Sequence, residues 1–269
     1  MTKNYIKDWK LTPDGPQIVT ANARLFPVIH AGQSLMLKIA SSPEEKAGAA
    51  LMSWWDGVGA ARVLKYDEDA ILMERAEEEL ILAKLSREGA DNKAILIMCE
   101  VISKLHGSEN KSGVNPLPKL HPLHQWFRQL LLSANHDNAI LSRAAETAKK
   151  LLEMPFEPTV LHGDIHHDNV LYFGERGWLA IDPKGLIGNR AFDYANIFCN
   201  PDYETATEPD VFQRRLHVIS ATGKIERKLL LEWILAWAGL SAIWDINSGF
   251  SPVTPLRIAE LANAELAAI

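Results

Sequence analysis

Three side chains between residues 160 and 184 are of types that hold divalent cations or accept protons: Asp164, Asn169 and Asp182. Two apolar, β-favouring segments, 169–173 and 178–182, flank turn-forming residues. If residue 173 pairs with residue 178, antiparallel counting brings Asn169 opposite Asp182, with Cβ atoms about 5 Å apart. The oxygens of that pair predict a Mg²⁺ site, because Mg²⁺ needs few protein ligands besides water and substrate phosphates.

Asp164 lies five residues before Asn169, in a loop that follows the apolar residues 159–161. This spacing is that of kinase catalytic loops, in which the aspartate orients the acceptor hydroxyl and takes its proton. The surrounding sequence, HGDIHHDNVL followed by GWLAIDPKGLIG and ANIFCNP, resembles the aminoglycoside phosphotransferase family, and within it the streptomycin 6-kinase and hydroxyurea-resistance branch. The resemblance is strong over residues 160–201. It implies phosphoryl transfer from ATP or GTP to a hydroxyl of a small molecule, with Mg²⁺ bound by Asn169 and Asp182.

The histidines of this run suggest an alternative, a metallohydrolase cluster made of His162, Asp164, His166, His167 and Asp168. The motif GDIH is indeed similar to a metallophosphoesterase block. Such enzymes need further His and Asp blocks on both sides, which the sequence lacks. We therefore favour the kinase interpretation without zinc, in which His162 is a buried residue that supports the backbone. His166 and His167 are expected either to pack within the loop or to lie on the acceptor side.

The resemblance assigns the nucleotide phosphates to Lys38. An isolated lysine in an apolar strand would otherwise be expected to face solvent, but Lys38 occupies the place of the kinase lysine that contacts the α- and β-phosphates. Ser42 as N-cap and Pro43 at the first helical position predict a helix after this strand. On that helix Glu45 is the expected partner of Lys38, and Glu44 is the second choice.

Protein kinases cover the nucleotide with a glycine-rich loop, which this chain lacks. The residues TANA at 20–23 stand in its place, so nucleotide cover would come from backbone amides and from Asn22. Glu74 and Ala76 lie in the expected hinge, where backbone groups would bind the base. Met73 is expected to line the back of the base pocket, although core filling would account for a methionine equally well.

The acceptor is expected to be cationic. Residues 191–269 carry 10 Asp and Glu against 6 Lys and Arg, and guanidinium groups bind carboxylates through paired hydrogen bonds. Asp202 and Glu204 are the candidate acceptor ligands, although such a cluster is also typical of a plain solvated surface. Asp193 matches a family position that supports the catalytic loop by accepting hydrogen bonds from its backbone N–H groups.

The resemblance implies an α+β fold of the two-lobed protein-kinase type. Strands predicted at 18–19, 24–29, 34–39, 62–66 and 70–73 would form a small antiparallel β-rich lobe over residues 1–74. Residues 75–269 would form a larger helical lobe. Its helices are predicted near 80–85, 95–105, 126–130, 140–152, 192–195, 226–246 and 258–267, with a proline-rich connector at 115–122. We expect Trp233, Trp237 and Trp244 to be core residues rather than a stacking surface.

Composition limits the partners. The net charge of −6 argues against nucleic acid, whose phosphates need a basic surface. The longest uncharged apolar stretch, residues 233–244, is too short to span a bilayer, and the first 15 residues lack an apolar signal segment. Two isolated cysteines fit a reducing compartment. We therefore expect a cytoplasmic protein with neither a membrane nor a nucleic-acid partner.

Two further functions are compatible with the sequence. One is a kinase that acts on another acceptor, such as hydroxyurea, a sugar or an amine-bearing metabolite. The other is a catalytically silent nucleotide-binding protein, which the intact set of Asp164, Asn169, Asp182 and Lys38 disfavours.

Overall fold

The computed structural model describes residues 3–77, 79–108, 116–133 and 138–269. Its first part contains a six-stranded antiparallel sheet with the strand order β1-β3-β4-β6-β5, and β2 pairs with β3. The strands are β1 (Thr12–Pro13), β2 (Ile18–Val19), β3 (Ala23–His30), β4 (Gln33–Ala40), β5 (Val63–Asp67) and β6 (Ala70–Glu74). The five predicted strands are therefore confirmed, and β1 is an additional one.

The two faces of this sheet have different partners because side chains alternate along each strand. On one face, Leu35, Leu37 and Leu72 pack in a small core with Tyr5 of helix α1 (Tyr5–Asp8). Lys38 lies on the opposite face, which is directed towards helix α2 (Pro43–Trp55). The predicted start of α2 is confirmed, since the Ser42 side chain accepts a hydrogen bond of 3.3 Å from the Glu45 N–H.

The rest of the chain is mostly helical. Its helices are α3 (Leu82–Leu85), α4 (Asp91–His106), α5 (Leu123–Trp126), α6 (Arg128–Leu132), α7 (Ala139–Glu153), α8 (Tyr203–Ala206), α9 (Pro209–Gly223), α10 (Arg227–Asn247) and α11 (Val253–Ala267). A π-helical turn, Ser86–Ala90, joins α3 to α4. The single helix expected from residue 192 is instead a pair of 3₁₀ turns, Arg190–Tyr194 and Asn196–Cys199. The predicted connector begins at residue 115, outside the described residues, and residues 116–120 form no helix or strand.

Helix α10 is the centre of the helical lobe and packs against α7 and α11. It is long and apolar enough to cross a bilayer, but 72% of its apolar window is buried inside the protein. That burial is what the core helix of a soluble protein shows. As predicted, Trp233 and Trp237 are buried on this helix, whereas Trp244 is only partly buried.

Short strands in the helical lobe flank the segments that contain Asp164, Asn169 and Asp182. The strand β11 (Leu186–Gly188) pairs parallel with β7 (His121–Pro122) and antiparallel with β8 (Thr159–Leu161). A separate hairpin joins β9 (Val170–Tyr172) to β10 (Trp178–Ala180). The catalytic loop therefore runs from the end of β8 to the start of β9.

The predicted register of this hairpin is wrong by one residue. Trp178 pairs with Tyr172, and the Ile181 N–H donates a bond of 2.9 Å to the Asn169 carbonyl, so residue 169 does not lie opposite residue 182. The reason is the turn: Gly174–Arg176 forms a 3₁₀ turn of three residues, not the four assumed from composition. Asp182 follows the hairpin with a φ of 61°, in the left-handed region.

Gly48 of α2 determines how closely this helix approaches the segment after the hairpin. A Cβ at residue 48 would overlap the carbonyl oxygen of Pro183, the residue after Asp182. The absence of a side chain therefore lets α2 lie directly against the backbone that presents Asp182.

We expect Gly48→Ala to destabilise the protein by about 1–3 kcal/mol, because the added methyl group must displace backbone. A helix-interior Gly→Ala change normally stabilises by about 0.5–1 kcal/mol, so the sign of the change tests the contact. Denaturant unfolding of wild type and variant measures it. Lys46→Ala on the exposed side of α2, whose Asp69 pair is at the surface, serves as the control and should not move the midpoint. A more stable Gly48→Ala protein would contradict the close approach.

Candidate active site

The carboxylate of Asp193 fixes the start of the catalytic loop. It accepts hydrogen bonds from the backbone N–H of His162, at 2.9 Å, and of Gly163, at 2.7 Å. His106 at the end of α4 adds a third contact, 2.8 Å from its Nε2 to the same carboxylate. The predicted contact of Asp193 with the loop backbone is confirmed. The sequence missed His106, which lies 87 residues away along the chain.

His162 is fully buried and supports the loop from inside. Its Nε2 lies 2.8 Å from the carbonyl oxygen of Ile181, and its Nδ1 accepts a bond of 3.2 Å from the Asp164 N–H. Burial lowers the pKa of His162, which favours the neutral ring that this pattern needs. The predicted supporting position of His162 is confirmed.

Two amides orient the carboxylate of Asp164. Asn196 donates a hydrogen bond of 2.8 Å to one of its oxygens, and Asn169 donates one of 3.2 Å to the other. Asn169 also bonds the Asp164 carbonyl at 2.9 Å. The Asn196 side chain is itself held, since its oxygen accepts a bond of 2.9 Å from Trp237 Nε1. Asn196 lies inside the recognised motif ANIFCNP, but nothing in that motif singled out this residue.

Beside Asp164 lies a charge cluster of two lysines and three carboxylates: Lys38, Lys184, Glu45, Asp164 and Asp182. Lys38 is in contact with both Glu45 and Asp182, so the predicted pairing of Lys38 with Glu45 is confirmed. Lys184 reaches Asp182 at 3.1 Å, Asp164 at 3.5 Å and Glu45 at 3.7 Å. The sequence assigned no part to Lys184.

The charges within this cluster are strongly coupled to one another. Burial alone would raise the pKa of Asp182, but the charges of Lys38 and Lys184 outweigh it and hold that pKa well below its usual range. Burial would likewise lower the pKa of Lys184, but the carboxylates of Asp164, Asp182 and Glu45 outweigh it and raise that pKa. Both groups are therefore ionised at neutral pH.

Two cavities meet at the cluster. One, of about 180 Å³, lies between the sheet and the hairpin, and its lining includes Thr20, Ala23, Lys38, Glu45, Ile71, Met73, Asn169 and Asp182. The other, of about 840 Å³, opens between α2, α5, α6 and α10, and its lining includes Glu44, Gln125, Trp126, Arg128, Asp164, Lys184, Trp237, Trp244 and Asn247. We call them the inner cavity and the outer cavity. Met73 thus lines the inner cavity, whereas Trp237 and Trp244 line the outer one instead of being core residues only.

Three residues assigned to the nucleotide are not among those that line the inner cavity. Asn22 is exposed, and its carbonyl accepts a bond of 2.9 Å from the Ser41 N–H. Glu74 binds Arg176 through its carboxylate, and its N–H donates to the Arg62 carbonyl at 3.1 Å. Ala76 packs against the core of the helical lobe. The backbone groups of Asn22 and Glu74 are used in hydrogen bonds within the fold, because polar backbone groups at a turn and at a strand end need partners.

The predicted acceptor residues are also placed elsewhere. The His166 ring accepts a bond of 3.3 Å from the Asp168 N–H and does not line the outer cavity. Asp202 caps α8 through the Thr205 N–H, at 2.9 Å, and forms an ion pair of 2.6 Å with Arg87. Glu204 lines a third cavity, of about 340 Å³, together with Arg87. Asp202 and Glu204 are therefore not among the residues that line the outer cavity beside Asp164, and their assignment to the acceptor stays a prediction.

The metallohydrolase alternative finds no support in the geometry. Within the described parts of the chain, His, Cys, Asp and Glu side chains form no group of three suited to a metal ion. His167 is buried, with its Nε2 2.9 Å from the Ser86 hydroxyl oxygen, and burial lowers its pKa to about 3.

Several solved structures have the same fold as this chain. Choline kinase from Cryptosporidium parvum superposes with a TM-score of 0.65 at 15% identity, covering 96% of this chain and 90% of that one. The apo form of a thermostable mutant of aminoglycoside phosphotransferase APH(4)-Ia gives 0.66 at 14% identity, covering 97% of both chains. These likenesses show that the chain has the protein-kinase-like fold.

Similar sequences identify the family of this chain within the fold. Residues 8–249 match the aminoglycoside/hydroxyurea antibiotic resistance kinase family. The chain is 47% identical to streptomycin 3''-kinase of Klebsiella pneumoniae, over 95% of this chain and 96% of that protein. It is 28% identical to streptomycin 6-kinase of Streptomyces griseus, over 93% and 84%. The chain belongs to the aminoglycoside/hydroxyurea antibiotic resistance kinase family, as its motifs indicated.

The contacts of Asn196 lead to a prediction. We expect Asn196→Ala to lower turnover about tenfold, because a hydrogen bond worth about 1.4 kcal/mol no longer orients Asp164. Nucleotide affinity should stay constant, since Asn196 does not line the inner cavity. Steady-state kinetics and nucleotide titration measure the two effects. Asn92→Ala, at an exposed position of α4, is the matched control. Unchanged turnover in Asn196→Ala would show that this amide does not orient Asp164.

Proposed function

We propose that this enzyme transfers the γ-phosphoryl group of ATP or GTP to a hydroxyl of streptomycin or of a closely similar aminoglycoside. The observation that carries the proposal is the place of Asp164, which lines a cavity large enough for a drug-sized acceptor, next to an inner cavity that contains Lys38. Residues 1–74 would carry most of the nucleotide site, and residues 75–269 the acceptor site. The free cysteines Cys99 and Cys199 agree with the cytoplasmic location expected from the sequence.

In the proposed reaction Asp164 is the catalytic base. The acceptor hydroxyl donates a hydrogen bond to its carboxylate, which takes the proton as the new P–O bond forms. The bond from the γ-phosphorus to the bridging oxygen breaks, and its electron pair leaves with the nucleoside diphosphate. Lys38, oriented by Glu45, neutralises charge on the α- and β-phosphates. Most of the acceleration then comes from position and charge.

Asn169 and Asp182 fit a Mg²⁺ ion. Both line the inner cavity, the Asp182 carboxylate is ionised, and the Asn169 side chain bonds Asp164 through its NH₂ group, which leaves its oxygen available. A carboxylate and an amide oxygen are ligands that Mg²⁺ accepts alongside water and phosphate oxygens. When bound, the ion would supply positive charge to the phosphate oxygens. The register of the hairpin does not place these residues opposite each other, so the proposal rests on their shared cavity.

The outer cavity supports a cationic acceptor through aromatic rings rather than through the acids after residue 201. Trp126 and Trp237 each pack edge-on against Trp244, with ring centroids 5.4 and 5.5 Å apart, and all three line the cavity. A guanidinium group stacks on indole faces by cation–π attraction. Glu44, the exposed acid at the start of α2, adds a carboxylate to the same cavity.

The 47% identity to a streptomycin 3''-kinase makes the 3''-hydroxyl the first position to test. Wild-type enzyme should release nucleoside diphosphate when streptomycin is added, and NMR of the product identifies the phosphorylated hydroxyl. We expect Asp164→Asn to lower turnover by about 10² or more while nucleotide affinity stays constant, as loss of a catalytic base requires. Wild-type-like turnover in this variant would refute the assignment of Asp164. Release of nucleoside diphosphate that requires hydroxyurea and does not occur with streptomycin would refute an aminoglycoside as the acceptor.

A second prediction separates the aromatic site from the acidic segment. We expect Trp244→Ala to raise the KM for streptomycin about five- to thirtyfold, because a cation–π contact is worth about 1–2 kcal/mol when it is partly desolvated. Asp202→Asn is the control, since Asp202 is paired with Arg87 away from the outer cavity. The nucleotide KM should stay constant in both variants. An increase in acceptor KM for Asp202→Asn alone would reverse the assignment.

A further inference from the structure

Lys184 is a partly buried lysine that has no assigned role in the proposed reaction. Its side chain is 17% exposed, and its ammonium lies 3.1 Å from Asp182 and 3.5 Å from Asp164. It is thus the lysine of the charge cluster that contacts both the proposed base and the proposed metal ligand. Lys38, by comparison, contacts Asp182 and Glu45.

The two lysines of the cluster belong to different cavities. Lys38 lines the inner cavity and contacts one oxygen of Asp182, whereas Lys184 lines the outer cavity and contacts the other oxygen. The Asp182 carboxylate therefore lies between the two ammonium groups. A phosphoryl group that moves from a nucleotide in the inner cavity to a hydroxyl at Asp164 must pass within reach of Lys184.

Backbone contacts fix Lys184 relative to the catalytic loop. Its N–H donates a hydrogen bond of 2.7 Å to the His162 carbonyl. Two residues later, Leu186 of β11 pairs with Leu161 of β8, the strand that leads into the loop. A cation held in this way needs little rearrangement to stabilise charge that develops during a reaction.

We propose that Lys184 is a catalytic residue that binds the γ-phosphoryl group during its transfer. Its ammonium donates hydrogen bonds to the non-bridging oxygens and stays protonated. The acceptor proton goes to Asp164, and the electron pair of the broken P–O bond leaves with the nucleoside diphosphate. This inference rests on the proposed phosphoryl transfer but not on the identity of the acceptor.

The test compares Lys184→Met and Lys184→Arg with wild type. We expect Lys184→Met to lower kcat about 10²-fold or more, a typical loss for removal of one group that stabilises transition-state charge. KM values should change less than threefold, and Lys184→Arg should recover part of kcat. The binding of ADP with and without aluminium fluoride, which mimics the transferring phosphoryl group, is measured with Mg²⁺ present. Aluminium fluoride should tighten the binding of ADP to wild type but not to Lys184→Met. Without aluminium fluoride, ADP should bind the two proteins with equal affinity.

Lys104→Met is the control, because Lys104 pairs with Glu100 on the surface of α4, away from both cavities. It should keep wild-type kcat and fluoride response. Unchanged kcat in Lys184→Met would overturn the proposal. The proposal would also be overturned if Lys184→Met lowered the melting temperature, or weakened ADP binding by a factor as large as its loss of kcat. Lys184 would then be a structural residue. The measurement with aluminium fluoride needs no acceptor. If wild type bound ADP more tightly with aluminium fluoride but showed no streptomycin-dependent turnover, streptomycin would be refuted as the acceptor and the test of Lys184 would still hold.

Discussion

The arrangement of the two lobes depends on one largely inaccessible group of charges, in which Lys38 and Glu45 are buried and the other members are partly buried. Lys38 comes from the sheet, Glu45 from α2, Asp164 from the catalytic loop, and Asp182 and Lys184 from the segment after the hairpin. A charge removed from water costs free energy if it is left unpaired, so these contacts favour keeping the elements that carry the side chains together. The contacts that stabilise the interface between the lobes are therefore the same contacts that define the chemistry.

Around this group, hydrogen bonds keep the catalytic loop in position. Asp193 binds the backbone of the loop, His162 connects it to the segment before Asp182, and Asn196 orients Asp164. The hairpin is attached to the sheet side as well, because Arg176 at its turn contacts Glu74 and donates a bond of 2.6 Å to the Gly57 carbonyl. Substrate charges thus meet polar groups that are already oriented, which is the condition for electrostatic catalysis.

The sequence predicted what depends on local pattern. The strands and the main helices follow from periodicity and capping, and the pairing of Lys38 with Glu45 follows from a motif whose members lie on adjacent elements. The sequence did not predict contacts between distant residues. Asp202, which was assigned to the acceptor, pairs with Arg87, 115 residues earlier. Lys184 lay in the recognised motif, yet its position beside Asp164 and Asp182 exists only in the folded chain. The register error has a local cause, since composition does not distinguish a three-residue turn from a four-residue one.

Asp182 adopts a backbone conformation that most residues avoid, with a φ of 61°. Aspartate, asparagine and glycine enter this region more readily than other residues, and β-branched residues are strongly disfavoured there. Replacement of Asp182 by asparagine would remove a charge and keep the backbone, whereas replacement by valine would disturb both. In evolutionary terms, the backbone limits which substitutions can appear at this position before selection on catalysis acts at all. A lineage that abandoned phosphoryl transfer would still be restricted to a narrow set of residues here.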